Sequence, residues 1–121
     1  MKVQTQELLD RTFIFGVNCL KSISALPNNA GNTVIKRQLA KSSTSIGANY
    51  EEAQAAESRK DFGHKTGIAS KEARESHYWL RIINELSSSN TNNRNITLLL
   101  NEALELKKIF TSIKISSQKK I

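Results

Sequence analysis

Apolar residues recur at steps of three and four positions along almost the whole chain, which is the spacing of side chains on one face of an α-helix. They do not alternate with polar residues, as they would in a half-buried β-strand. Proline and glycine, which interrupt helices, number only one and five in 121 residues. The pattern therefore predicts an all-α protein.

Four segments carry the helical pattern, at about 3–26, 33–57, 59–86 and 96–116. Pro27 ends the first segment, because the residue before a proline disfavours the helical conformation. Asn32 is the expected N-cap of the second helix, and Ser58 followed by Asp61 has the spacing of a capping box before the third. Short connections between helices of this length favour an antiparallel up-down-up-down four-helix bundle over residues 1–116, followed by a basic tail at 117–121.

The apolar stripes predict which side chains form the core. The residues expected inside are Leu9, Phe13, Leu20 and Ile23 on the first helix with either Val17 or Gly16, Ile35, Leu39, Ile46 and Ala53 on the second, Phe62, Ala69, Ala73, Ser76 and Ile83 on the third with either Trp79 or Leu80, and Leu99, Ala103, Leu106, Phe110 and Ile113 on the fourth. Cys19 is expected in the core as well, since a single cysteine cannot form an intramolecular disulfide. Apolar residues outside these stripes, such as Phe15, Tyr78 and Leu100, are expected to be buried between protomers.

Polar residues lie in or beside the stripes of the second and third helices. They are Ser42, Ser45, Asn49 and Glu72. These side chains could line a ligand pocket or form a buried hydrogen-bonded network. The network is the preferred interpretation, because a buried carboxylate is tolerable only when it is paired or hydrogen-bonded.

Basic residues outnumber acidic ones by 18 to 11, which gives a formal net charge of +7. Such a charge indicates either an anionic partner or simply a solvated basic surface, and the sequence does not decide between them. The residues predicted to contact nucleic acid are Lys36, Arg37, Lys41, Arg59, Lys60, Lys107, Lys108 and Lys114. Aromatic residues make up only 6% of the chain, so binding should depend on phosphates and on the shape of an RNA, with little base readout.

Several other classes of protein are disfavoured. No stretch approaches the roughly 18 apolar residues of a membrane-spanning helix, and Glu7, Asp10 and Arg11 interrupt anything resembling a signal peptide, so a cytoplasmic protein is expected. His77 has no cysteine or carboxylate at ligand spacing. We therefore expect neither a metal site nor a cofactor, and no contact with a membrane.

Arg59 and His64 stand five positions apart, a spacing that resembles the Arg-His pair of HEPN-type helical ribonucleases. In the alternative interpretation Arg59 lies in a turn and His64 on a solvated face. We favour the second interpretation and predict no catalytic residues. A ribonuclease and a structural oligomer with no nucleic-acid role are the competing hypotheses.

One part of the sequence resembles a known family. The matching elements are Leu26-Pro27, Gln38-Leu39, Lys41-Ser42, Ser45–Tyr50, Glu52-Ala53, Glu57-Ser58, Asp61-Phe62, Ile68-Ala69, Lys71–Glu75 and Tyr78–Leu80. They resemble the bacterial four helix bundle protein family, whose first members were recognised in intervening sequences of 23S ribosomal RNA genes. Gly63 and Thr66-Gly67 depart from its pattern, which has larger apolar residues there.

The resemblance also implies partners. The family is similar in fold and charge to the accessory variability protein of diversity-generating retroelements, a basic homopentamer that binds nucleic acid and a reverse transcriptase. A homopentamer that binds nucleic acid, RNA more than DNA, is therefore expected. A reverse transcriptase or a ribosomal component is the protein partner that the resemblance suggests.

Overall fold

The computed structural model describes residues 2–87 and 93–119. These residues form four helices, α1 (Val3–Ser24), α2 (Ala30–Ala53), α3 (Arg59–Leu86) and α4 (Asn93–Gln118). Each helix packs on the next one in the chain, and α4 returns beside α1. The predicted all-α antiparallel four-helix bundle is confirmed.

The helix ends differ from the predicted ones by a few residues. α4 continues through Gln118, so the first two residues of the predicted tail are helical, while residues 120 and 121 lie outside the described chain. Most of the connection predicted at 87–93 also lies outside it. None of the described helices is long and apolar enough to span a membrane.

Side-chain caps fix the starts of α2 and α3. Asn29, and not Asn32 as predicted, caps α2, because its Oδ1 accepts a hydrogen bond from the Asn32 backbone N–H at 2.8 Å. The predicted cap of α3 is confirmed, since Ser58 Oγ accepts from the Asp61 N–H at 3.0 Å. The Asp61 carboxylate in turn accepts from the Glu57 N–H, at 3.3 Å, one residue before the position that a capping box uses.

The core contains most of the predicted residues. Those confirmed as buried are Leu9, Cys19, Ile23, Ile35, Leu39, Ile46, Ala53, Ala69, Ala73, Ser76, Ile83, Leu99, Ala103, Leu106 and Phe110. Leu80, and not Trp79, is the fully buried member of its pair. The rings of Tyr50 and Phe110 meet edge to face, with their centroids 5.2 Å apart.

The buried face of α1 contains different residues from those predicted. Phe13 is 69% exposed and Leu20 is 39% exposed, whereas Phe15, expected between protomers, is 2% exposed. The reason is a close approach of α1 and α2 over two glycines. A Cβ added at Gly47 would stand 3.2 Å from Thr12 Oγ1, and one added at Gly16 would stand 3.4 Å from a backbone oxygen of α2. Small residues therefore occupy the contact line, and Phe13 points outward.

α3 also packs through small side chains over most of its length. Its buried residues are Gly63, Thr66, Ala69, Ser70, Ala73 and Ser76, and only then Leu80 and Ile83. Hydroxyl groups link this face to both neighbouring helices. Ser76 Oγ donates to Ser42 Oγ at 2.9 Å, and Ser70 Oγ lies 2.7 Å from Thr111 Oγ1.

The predicted polar network does not form around Glu72. Ser42 is buried and hydrogen-bonded as expected, but its partner is Ser76. Ser45 Oγ donates to the Lys41 carbonyl and Asn49 Nδ2 donates to the Ser45 carbonyl, so both side chains bond within their own helix. Burial and then the charge of Glu75 raise the pKa of the Glu72 carboxyl, while Lys71 and Lys41 oppose that shift.

These contacts predict a large loss of stability for one substitution and a small one for another. Ser76→Ala removes the buried link between α2 and α3 and leaves Ser42 Oγ with only a 3.5 Å contact to the Leu39 carbonyl. We expect it to lower the free energy of unfolding by about 1–2 kcal/mol. Asn49→Leu removes a bond within one helix, so its cost should be within about 0.5 kcal/mol. Urea unfolding of both variants at neutral pH measures the difference, and a larger loss for Asn49→Leu would contradict the account and restore the network.

Candidate nucleic-acid interface

A basic groove lies between the first half of α3 and the last turns of α4. Its cavity volume is about 790 Å³. Five cationic side chains and one histidine line it, namely Arg59, Lys60, His64, Lys71, Lys114 and Lys119. No carboxylate from the described part of the chain lines it. The groove is therefore a concentrated positive site in a bundle that is basic as a whole.

Helical spacing explains why these residues share one groove. Lys60, His64, Gly67 and Lys71 follow one another at steps of three or four positions, so they lie along one face of α3. The antiparallel return of α4 brings Lys114 and Lys119 to the same end of the bundle as Arg59. The Arg59 guanidinium donates a hydrogen bond to the Ser116 carbonyl at 3.4 Å, which joins the two helices there.

Two glycines form the floor of the groove. Gly63 is buried, and a Cβ added to it would collide with Ser117 Oγ. A Cβ added at Gly67 would stand 3.0 Å from Lys114 Cδ. The lysine side chain therefore lies across α3 at a position where α3 presents no side chain. The glycines that depart from the family pattern are thus positions that face side chains of α4.

The nearby carboxylate of Asp61 is paired with a lysine that does not line the groove. Asp61 is engaged by Lys65, whose Nζ lies 2.8 Å from its Oδ1. The hydrogen bond from Lys65 and then the one from the Glu57 backbone lower the pKa of Asp61. Further along the bundle, burial and then the charges of Arg81 and Lys107 lower the pKa of His77. Positive charge thus continues along the α3/α4 side beyond the groove.

The structure separates the predicted contact residues into two regions. Arg59, Lys60 and Lys114 come together in the groove. Lys107 and Lys108 lie on α4 about 10 Å before Lys114, at 1.5 Å per residue. They extend the basic side of the bundle away from the groove.

The second region is the cluster of Lys36, Arg37 and Lys41 on α2. Lys36 Nζ donates to Asn28 Oδ1 at 2.9 Å, beside the connection between α1 and α2. That connection lies at the opposite end of the bundle from Arg59. The helical rise along α2 puts Lys36 roughly 25 Å from the groove.

Sequence reasoning missed Lys71 and Lys119, which also line the groove. The signal for Lys71 was available, because it continues the spacing of Lys60 and His64 along α3. Arg59 and His64, the pair considered for a ribonuclease, both line the groove as well. In residues 2–87 and 93–119 no group of three or more His, Cys, Asp or Glu side chains is placed to hold a metal ion.

The fold and this groove define a basic four-helix-bundle protein. The chain belongs to the 23S rRNA-intervening sequence protein family, whose model matches residues 4–112. This confirms the family expected from the sequence. Among curated proteins none matches the chain.

A solved structure shows the same fold. It is the crystal structure of a protein of unknown function from the S23 ribosomal protein family of Bacteroides thetaiotaomicron VPI-5482. The two sequences are 34% identical, the match covers 88% of this chain and 96% of that one, and the TM-score is 0.77.

Proposed function

We propose that the protein is a non-enzymatic RNA-binding four-helix bundle, assembled as a homopentamer, that holds structured RNA or a ribonucleoprotein through phosphate contacts. The observation that carries the proposal is the groove between α3 and α4, in which cationic side chains gather with no carboxylate among the described residues that line it. Such a set of cationic side chains is suited to bind phosphates, since ammonium and guanidinium groups donate charge-assisted hydrogen bonds to them.

The lining of the groove also sets the mode of binding. None of the described residues that line it is Phe, Tyr or Trp, and Ile68 is its one large apolar residue. The His64 imidazole is the one ring among them on which a base can stack, so affinity comes mainly from the backbone of the nucleic acid. Such binding weakens steeply as salt rises, because released counterions drive it.

Longer RNA reaches the second basic region in this proposal. Lys107 and Lys108 extend the basic side along α4, and Lys36 and Arg37 offer a separate patch towards the other end of the bundle, with Lys41 nearer to the groove. A folded RNA spans such a distance more readily than a short strand does. Several protomers in one assembly would add their contacts as avidity.

The family supports RNA as the nucleic acid. The family is that of 23S rRNA-intervening sequence proteins, and the similar solved structure is of a protein from the S23 ribosomal protein family. The proposal accordingly includes a ribosomal component or a reverse transcriptase as a protein partner. It also includes a cytoplasmic location, where such RNA is found.

Charge reversal in the groove tests the RNA-binding proposal. Lys60→Glu with Lys114→Glu should weaken binding of unrelated short RNAs by similar factors. It should also flatten the slope of log affinity against log salt by about two, one for each lost lysine contact. Fluorescence anisotropy over a range of salt concentrations measures both quantities. The matched control, Lys36→Glu with Arg37→Glu, should have the smaller effect on a short RNA.

Three outcomes would contradict the proposal. Wild-type protein that binds no RNA at low salt would remove RNA binding altogether. Equal losses in the two double variants would remove the groove as the main site. RNA that is cleaved by wild type but stays intact with His64→Ala would favour the ribonuclease hypothesis over a non-enzymatic role.

The proposal of self-association rests on apolar residues that the bundle leaves exposed. Phe13, Val17 and Leu20 line a cavity of about 310 Å³ on the α1/α2 side. Ile14 and Leu98, exposed by 55% and 58%, line a second cleft on the α1/α4 side. A cyclic ring joins two different surfaces of each protomer, and two apolar surfaces that flank one helix meet that requirement. The occupant proposed for them is a second copy of this chain.

A substitution on α1 tests the assembly. Wild type should scatter light with about five times the protomer mass of 13.5 kDa. Phe13→Asp should return a mass near that of one protomer with helicity unchanged, because Phe13 is 69% exposed. Val34→Asp, at a residue that is 52% exposed on α2, is the control and should leave the assembly intact. A wild-type mass of 13.5 kDa at micromolar concentration would overturn the pentamer.

A further inference from the structure

We propose that one phosphate group binds at a discrete position in the groove, where it rests on the Lys114 ammonium that lies over Gly67, with His64 and Lys71 one turn away on either side. The inference rests on the proposed function and deepens it, since it names the position and the group that occupies it. The ligand chemistry is a phosphate, either a phosphodiester of an RNA backbone or free phosphate.

The first observation is the path of the Lys114 side chain. Its Cδ, Cε and Nζ would stand 3.0, 3.1 and 3.3 Å from a Cβ at Gly67. The stem therefore crosses from α4 and lies flat on the α3 backbone. This places the ammonium group over Gly67 within the groove, on a side chain that stays exposed to solvent.

The second observation is the arrangement around that ammonium. His64 and Lys71 lie one turn before and one turn after Gly67 on the same face of α3, and both line the groove. Neither Lys71 nor Lys114 forms an ion pair with a carboxylate of the described chain. Nitrogen donors from two helices thus line one groove, which suits an anion with several acceptor oxygens.

The third observation is that packing alone does not require glycine at position 67. Gly63 is different, because a Cβ there would collide with Ser117, which belongs to the packed end of α4. At Gly67 the blocking atoms belong to the free end of one flexible lysine, which could swing into solvent. Glycine inside a helix costs about 1 kcal/mol relative to alanine. A role in placing the Lys114 ammonium explains why position 67 is glycine despite this cost in helix stability.

A double-mutant cycle on Gly67 and Lys114 tests the inference. Gly67→Ala should displace the lysine and weaken binding of a short labelled oligouridylate by about tenfold, the effect of losing one charge-assisted hydrogen bond. Helicity and thermal stability should stay equal or rise, since alanine favours the helix. Gly67→Ala combined with Lys114→Ala should bind no more weakly than Lys114→Ala alone, because the glycine acts through the lysine.

A matched control is available in α2. Gly31→Ala also places an alanine in a helix, where the Cβ meets no atom closer than 3.7 Å. It should leave oligouridylate affinity unchanged. A Gly67→Ala variant that binds like wild type, or losses that add in the double variant, would overturn the inference while RNA binding by the groove stands.

Titration with inorganic phosphate, followed by NMR of the protein backbone, separates the two sources of the ligand. In one outcome, phosphate shifts the NMR signals of His64 and Lys71 in wild type but not in Gly67→Ala, and wild type does not bind oligouridylate. That outcome would keep the position as a free-phosphate site and overturn the proposed function. Binding of neither ligand by wild type would overturn both. Binding of oligouridylate with competition by phosphate is the expected result.

Discussion

The close approach of α3 to its neighbours is the constraint on which the rest of the structure depends. From Gly63 to Ser76 every buried residue of this helix is glycine, alanine, serine or threonine. Backbones separated by such small groups lie close together, and hydroxyl pairs such as Ser76 with Ser42 satisfy the polar atoms that the approach buries. With few large side chains between the helices, long basic residues on α3 and α4 meet at the surface and form one groove.

Close packing of helices over small residues also shapes the α1/α2 side of the molecule. Gly16 and Gly47 bring α1 against α2, so that Phe13 has no room inside and lies on the surface. A bundle with small residues at its contacts thus carries a basic groove on the α3/α4 side and apolar clefts beside α1. In our account the groove holds RNA and the apolar clefts hold further copies of the chain.

The fold could be predicted from sequence because the periodicity of apolar residues reports directly which face of each helix is buried. That reasoning failed for α1, where the apolar stripe favoured Phe13 and Leu20 and left the choice between Val17 and Gly16 open. It failed for Glu72 because serine and asparagine side chains can bond to carbonyls of their own helix, which spacing alone does not reveal. Arg59, Lys60 and Lys114 could be named from charge, but their meeting depends on how α4 returns along α3. Gly63 and Gly67 depart from the family pattern, and this departure was the sequence feature that could have indicated where side chains of α4 cross α3.

Lysine footprinting of the protein with and without a short single-stranded RNA tests the central claim most directly. Each lysine is acetylated in the free and bound states, and mass spectrometry of the peptides gives the change in reactivity of every ammonium group. If the α3/α4 groove holds the phosphates, Lys60, Lys71, Lys114 and Lys119 lose reactivity on binding, while Lys21 and Lys36 keep theirs. Protection at Lys36 without protection of the groove lysines, or uniform protection of all lysines, would contradict the account.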